Sequence, residues 1–69
     1  MELSNFIAYE QGNLDFGATL EFFAELIETG QAWQLQGHYG RTASALIRQG
    51  LISKQGKINN DIVNEFLTQ

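Results

Sequence analysis

The sequence predicts an all-α fold, a small single-domain bundle of about four helices with a helix-turn-helix-like outline. Apolar residues recur at helical spacing in four separate segments between residues 1 and 69. Gly12, Gly30 and Gly50 each follow such a segment, where a residue in the left-handed conformation ends a helix. The chain contains no proline, so nothing forces a break elsewhere.

Composition limits what can stabilise this fold. A domain of 69 residues buries only about 60% of the surface that its unfolded chain exposes, so its stability is marginal. The absence of cysteine excludes disulfides and thiolate metal sites, and the single histidine, His38, excludes a histidine cluster. We therefore expect no metal and no cofactor. Five phenylalanines and a hydrophobic fraction of 43% indicate a packed core.

Nothing in the sequence indicates a membrane segment. No apolar run approaches the roughly 18 residues that a membrane span needs. The first ten residues, MELSNFIAYE, have neither a basic flank nor a long apolar run, so we expect no secretory signal. The lack of cysteine fits a reducing cytosol.

The first two helices are predicted from their apolar faces. Residues 2–11 place Leu3, Phe6 and Ile7 at helical spacing. The second helix follows Asp15, whose carboxylate suits an N-cap that accepts from free backbone N–H groups. Its apolar stripe consists of Phe16, Leu20, Phe23, Ala24 and Ile27.

Phe22 and Leu26 widen the apolar arc of the second helix to roughly 200°, whereas a surface helix typically needs roughly 100°. In one interpretation this helix is central and touches several neighbours. In the other, Phe22 and Leu26 stay partly exposed and contact a partner chain, for example in a homodimer. Glu21, Glu25 and Glu28 fill the opposite face, which a solvated surface explains.

A short turn, QAWQLQ, leads into a third helix predicted from His38 to Gln49. Arg41 and Arg48 lie seven residues apart and point away from its apolar face, with His38 to one side. That apolar face contains Tyr39, Ala43, Leu46 and Ile47.

The last part of the chain allows two interpretations of its connection. Residues 51–58 fit either a short β-hairpin wing with Gly56 in its turn or an irregular loop. A fourth helix then follows an N-cap at Asn59 or Asn60. The apolar side of this helix is predicted to contain Ile62, Val63, Phe66 and Leu67.

Charge is unevenly distributed along this acidic chain, whose formal net charge is −4. Residues 1–30 contain acids and no base, and residues 31–60 contain bases and no acid. The bases are Arg41, Arg48, Lys54 and Lys57. The overall sign disfavours non-specific binding to phosphate backbones, although the middle third alone does not.

Signatures of catalysis are absent from the sequence. It has no phosphate-binding loop and no GxSxG nucleophile elbow. A triad around His38 would need a nucleophile and an orienting acid, and no spacing marks Ser44 or Ser53 for that role. We therefore expect a protein that is not an enzyme and has no catalytic residues.

A DNA-binding interpretation stays open. Two helices around a glycine-containing turn, followed by a wing, resemble a winged helix-turn-helix in outline. Arg41 and Arg48 would face DNA from the recognition helix, with Lys54 and Lys57 on the wing. Four bases are few against the roughly 6–10 phosphate contacts of a typical footprint. In the alternative, the basic segment packs beside the acidic second helix and balances its charge.

The segment WQLQGHYGRTASALI, residues 33–47, divides into scaffold and surface. Residue type and spacing assign to the scaffold Trp33, Leu35, Tyr39, Ala43, Leu46 and Ile47. Aromatic and arginine residues grouped in this way are also typical of binding hot spots. The candidate partner-binding residues are therefore Gln36, His38, Arg41 and Arg48, together with Phe22 and Leu26 of the second helix.

The run LIETGQAWQLQGHYGRTASALIRQGLI, with IAYEQGNLD upstream, resembles a family of small proteins encoded mainly by tailed bacteriophages. The recurring core of that family is similar to G-AW-LQG-YGR-A--LI--G, and the likeness covers residues 6–52. The matching positions are Gly30, Ala32, Trp33, Leu35, Gln36, Gly37, Tyr39, Gly40, Arg41, Ala43, Leu46, Ile47 and Gly50.

The resemblance implies an origin rather than a mechanism, because the family has no assigned activity. Very small, acidic phage proteins without cysteine often bind a host macromolecule, such as the transcription machinery or an antiviral defence complex. By analogy we expect an accessory protein in the host bacterial cytoplasm that binds a host or phage protein and serves host takeover. DNA is the second candidate partner.

Overall fold

The computed structural model describes residues 3–68, which form four α-helices and one 3-10 helix. These are α1 (Leu3–Glu10), α2 (Phe16–Thr29), the 3-10 helix (Gln31–Trp33), α3 (Gly37–Arg48) and α4 (Asn60–Leu67). The all-α prediction is confirmed. Within the described residues, every helix is too short or too polar to cross a membrane.

Side-chain and glycine caps explain where the helices begin and end. The Asp15 carboxylate accepts a hydrogen bond from the Ala18 N–H at 2.8 Å, as its position in the sequence predicts. Asn59 caps α4 in the same way, accepting from Ile62 at 3.2 Å. Gly30 ends α2 with a φ of 82°, a conformation that glycine adopts without steric cost.

α2 is the central helix, and the expectation that Phe22 and Leu26 stay partly exposed is wrong. Phe22 is 3% exposed and Leu26 is 0% exposed, since neighbouring elements cover the whole apolar arc. The ring of Phe22 lies 5.1 Å from Phe6 and 5.4 Å from Tyr9, both in α1. The apolar arc that was a candidate homodimer surface is therefore buried within a single chain.

Aromatic contacts set the orientation of α1. The predicted face of Leu3, Phe6 and Ile7 is only partly correct, because Leu3 and Ile7 are exposed. Phe6 and Tyr9 pack against the core instead. Tyr9 meets Phe23 edge to face at 5.2 Å, a favourable aromatic geometry.

Residues 51–58 form a compact loop rather than a projecting wing. Ile52 and Ile58 form an isolated antiparallel β-bridge, and residues 3–68 contain no extended strand. The Ser53 N–H donates to the Lys57 carbonyl at 2.8 Å, which closes the turn. Leu51 and Ile52 are both buried in the core. Of the two interpretations of this segment, the structure has the loop, with a single bridge in place of a hairpin.

Gly56 fixes this loop against α2. A Cβ atom at position 56 would lie 2.6 Å from the Ala24 carbonyl oxygen and 2.8 Å from the Glu28 nitrogen. Its φ of 87° is also disfavoured for other residues. Only glycine therefore allows the loop to approach the α2 backbone this closely.

α4 packs loosely on the rest of the chain. None of its residues is buried, and only Ile62 and Val63 pack partly against the core. Phe66 and Leu67, predicted on the same apolar side, are exposed.

Candidate partner-binding groove

α3 has two opposite faces with different environments. Helical geometry places Tyr39 and Ala43 on one face, and both are buried. Gly37, Arg41 and Ser44 lie on the other face with Arg48, and both arginines are exposed. We call these the core face and the groove face.

On the core face, Tyr39 is 4% exposed and its polar atom is satisfied. Its hydroxyl donates a hydrogen bond to Glu10 Oε1 at 2.6 Å. Burial, reinforced by this hydrogen bond and by the charge of Glu10, raises the pKa of Tyr39 to about 12. The hydroxyl therefore stays neutral near pH 7 and links α3 to the end of α1.

On the groove face, the 3-10 helix brings Trp33 next to α3. Ala32 is completely buried and anchors this turn, whereas Trp33 is 51% exposed. A Cβ atom at position 40 would lie 3.5 Å from the Ala32 carbonyl oxygen and 3.9 Å from Trp33 Cε3. Gly40 thus leaves open space beside the indole ring.

Two adjoining depressions surround Trp33, and together we call them the Trp33 groove. One has a volume of about 660 Å³ and the other about 620 Å³, and they share Trp33, Ser44 and Arg48. The side chains that line the groove are Ala32, Trp33, Leu35, Arg41, Ser44, Ile47, Arg48 and Lys54.

The Trp33 groove is basic. Arg41, Arg48 and Lys54 line it, and among residues 3–68 no acidic side chain does. Across residues 3–68, these three bases form no ion pair with a carboxylate within 4 Å. The basic segment therefore does not neutralise the acids of α2 by direct pairing, and its charge faces the groove.

The other predicted site residues lie around the groove or away from it. Gln36 immediately precedes α3 at the groove edge and is exposed. His38 is half-buried, and its ring lies 4.2 Å from that of Tyr39 rather than in the groove. Phe22 and Leu26 belong to the core.

The four bases assigned to DNA binding are not brought to one surface. Lys54 extends the groove beside Arg48. Lys57 lines a separate depression of about 490 Å³, which also contains Asp61. The candidate nucleic-acid surface is therefore divided between two places.

Trp33 and Leu35 were predicted as scaffold, yet they are exposed by 51% and 37%. Both belong to a turn, so helical periodicity assigns them to no buried face. The lack of a predicted buried face for Trp33 and Leu35 is one signal that could have marked them as surface residues. The two nearby glycines on α3, Gly37 and Gly40, are another.

The groove supplies an aromatic ring, aliphatic side chains and cationic donors. Among the described residues, its lining contains no histidine, cysteine or carboxylate to act as a general base. Within residues 3–68, no three His, Cys, Asp or Glu residues are grouped closely enough to hold a metal ion. This arrangement suits binding by contact and charge.

A family model described as a domain of unknown function, DUF7417, matches residues 3–67. The chain therefore belongs to this uncharacterised family. No curated protein and no solved structure matches the chain.

Proposed function

We propose that this protein acts by binding another protein through the Trp33 groove and catalyses no reaction. One observation carries the proposal: a half-exposed tryptophan lies in a groove beside Arg41 and Arg48. Tryptophan and arginine are the residue types most enriched in binding hot spots. A partner that covers Trp33 removes apolar surface from water, and burial of such surface is worth about 25 cal/mol per Å².

The biological setting follows from the sequence likeness to tailed-phage proteins. The protein is a phage-encoded accessory factor whose partner is a host or phage protein in the bacterial cytoplasm. Inhibition or modulation of host machinery or of an antiviral defence complex fits a chain whose recognisable surface is a binding groove.

DNA binding is the second candidate, and the basic lining of the groove favours it. Arg48 lines both of the adjoining depressions, Arg41 lines one of them and Lys54 lines the other. The net charge of −4 opposes it, because long-range repulsion weakens approach to a phosphate backbone. The placement of Lys57 in a separate depression also reduces the number of phosphate contacts one surface can make.

Affinity capture with matched variants tests the proposal. The immobilised protein is incubated with nuclease-treated lysate of infected cells, next to Trp33→Ala and Lys57→Ala forms. Lys57 is an exposed base outside the groove, so its replacement controls for general charge.

We expect a protein retained by the wild type and by Lys57→Ala but lost from Trp33→Ala. Retention by all three forms would place the interface elsewhere. In a parallel capture from untreated lysate, retention of nucleic acid alone, with no protein, would favour the DNA hypothesis.

A further inference from the structure

The charge and shape of the Trp33 groove together specify the chemistry of its occupant. We propose that the groove binds an acidic segment of the partner protein, with one aromatic or aliphatic anchor side chain placed against Trp33. This inference rests on the proposed function and adds the partner's local sequence type. It follows from three lining bases, the lack of a lining acid in the described part of the chain, and a half-exposed tryptophan.

The anchor position is defined by the apolar part of the groove. Trp33 and Ile47 both line the 660 Å³ depression, and Leu35 extends the apolar surface on the other side of the indole. An aromatic or branched aliphatic side chain that enters here covers Trp33 and excludes water from the neighbouring bases. Exclusion of water strengthens the charge interactions that surround the anchor.

The spacing of the arginines sets the spacing of the partner's acids. Arg41 and Arg48 are seven residues apart in α3, which corresponds to about 10 Å along the helix axis. A polyproline II segment advances about 3.1 Å per residue with three residues per turn, so carboxylates three residues apart lie on one face and span nearly the same distance. The occupant is therefore an extended acid-x-x-acid segment with its anchor between the acids.

The glycine one turn before Arg41 leaves room for its guanidinium on the surface of α3. The Arg41 Nη1 atom lies 3.0 Å from the position that a Cβ atom of residue 37 would occupy. The guanidinium thus lies over Gly37 on the surface of α3, and the side chain is exposed. It carries no competing carboxylate among residues 3–68, so it is available to pair bidentately with an incoming acid.

The groove is better suited to an acidic peptide than to a nucleic acid. Aliphatic side chains of Leu35 and Ile47 flank the indole, where a single strand would require further flat stacking partners. The acids that dominate residues 1–30 also repel a polyphosphate chain more strongly than a short peptide with few charges.

Trp33 is the only tryptophan of the chain, so its fluorescence reports directly on the groove. The full-length protein is titrated with a synthetic peptide of about ten residues that carries an acid-x-x-acid pair around one Phe. Control peptides replace the acids with Lys, or the Phe with Ser. A single-stranded oligonucleotide of similar length is the nucleic-acid probe.

We expect a saturable blue shift with the acidic peptide and at least about tenfold weaker binding of each control peptide. The Arg41→Ala, Arg48→Ala double variant should lose about tenfold or more in affinity, and Lys57→Ala should bind like the wild type. Circular dichroism confirms that the variants keep their helices. Raising salt from about 0.05 M to about 0.5 M should weaken binding by the wild type.

Equal binding of the acidic and Lys-substituted peptides would overturn the inference, and so would tighter binding of the oligonucleotide. A missing fluorescence change with every probe would overturn it as well. If affinity capture still depends on Trp33 in that case, only the assignment of an acidic occupant fails. If capture is also independent of Trp33, the proposed function fails with it.

Discussion

Each of the two faces of α3 is associated with one aromatic residue, and the two residues differ in their exposure to solvent. On the core face, Tyr39 contacts the rings of Phe6, Tyr9, Phe22 and Phe23, and its hydroxyl is hydrogen bonded. On the groove face, Trp33 remains half exposed beside unpaired bases. A fully packed face with satisfied hydrogen bonds stabilises the fold. A face with exposed apolar surface can gain free energy when a partner covers that surface. We therefore expect substitutions on the core face to lower the free energy of unfolding, and substitutions on the groove face to weaken partner binding.

The largest effect is expected in the core. Phe23 is completely buried where α1, α2 and α3 meet, so Phe23→Ala removes a large side chain and leaves a cavity. We expect a loss of about 3–5 kcal/mol in the free energy of unfolding. A domain this small typically has about 3–5 kcal/mol in total, so the variant should be largely unfolded. Urea denaturation followed by circular dichroism measures this, and a loss as small as that of a surface variant would contradict the assignment of the core.

The next effect concerns the loop that closes over α2. Gly56→Ala combines a left-handed backbone with a Cβ atom 2.6 Å from a backbone oxygen, so the loop must move away. We expect a loss of about 2–4 kcal/mol in the free energy of unfolding. Gly50→Ala is the matched control, since Gly50 has a φ of 80° but nothing within 4 Å of a Cβ atom. It should lose only about 1 kcal/mol. Similar losses for the two variants would mean that the close approach to α2 is absent.

A smaller effect is expected from the hydrogen bond on the core face at high pH. The pKa of Tyr39 is raised from 10.0 to about 12, so the folded state keeps a proton that the unfolded chain releases. The associated stability is fully present below pH 10 and is lost as pH rises to about 12, and two pKa units correspond to about 2.7 kcal/mol. Tyr39→Phe should lack this step, and Tyr9→Phe should retain it. Denaturation midpoints at several pH values test this, and parallel curves for wild type and Tyr39→Phe would refute it.

The smallest effect on stability is expected on the groove face. Arg41→Ala and Arg48→Ala remove exposed side chains without ion-pair partners among residues 3–68, so each should change the free energy of unfolding by less than about 0.5 kcal/mol. The same denaturation experiment measures both. A loss above about 2 kcal/mol in either would show that the arginine supports the fold, and the two faces would then not differ as described.

Local rules in the sequence predicted the helices well, because their signals lie within one or two turns. Asp15 was identified as a cap and Gly30 as a helix end from residue type and position alone, and Asn59 was one of two candidate caps for α4. The arc containing Phe22 permitted two outcomes, since periodicity shows that a face is apolar without showing what covers it. The residues that cover Phe22 belong to α1. They are Phe6 and Tyr9, and their contacts with Phe22 join parts of the chain that are distant in sequence.

The groove was only half predictable. Arg41 and Arg48 were assigned to the outward face of their helix, and they do line the groove. Trp33 was assigned to the scaffold because tryptophan usually anchors a core, and its exposure depends on how a short 3-10 helix meets Gly40. Lys54 joins the groove through a loop whose position is fixed by Gly56. Such non-local contacts have no signature in residue spacing.

The most direct test of the account is the affinity of the Trp33→Ala variant for the captured partner, measured by titration next to the wild type. We expect Trp33→Ala to bind at least about thirtyfold more weakly, because Trp33 is the central anchor of the groove. The free energy of unfolding should fall by only about 1–2 kcal/mol. An unchanged affinity would mean that the protein does not bind its partner through the exposed indole of Trp33.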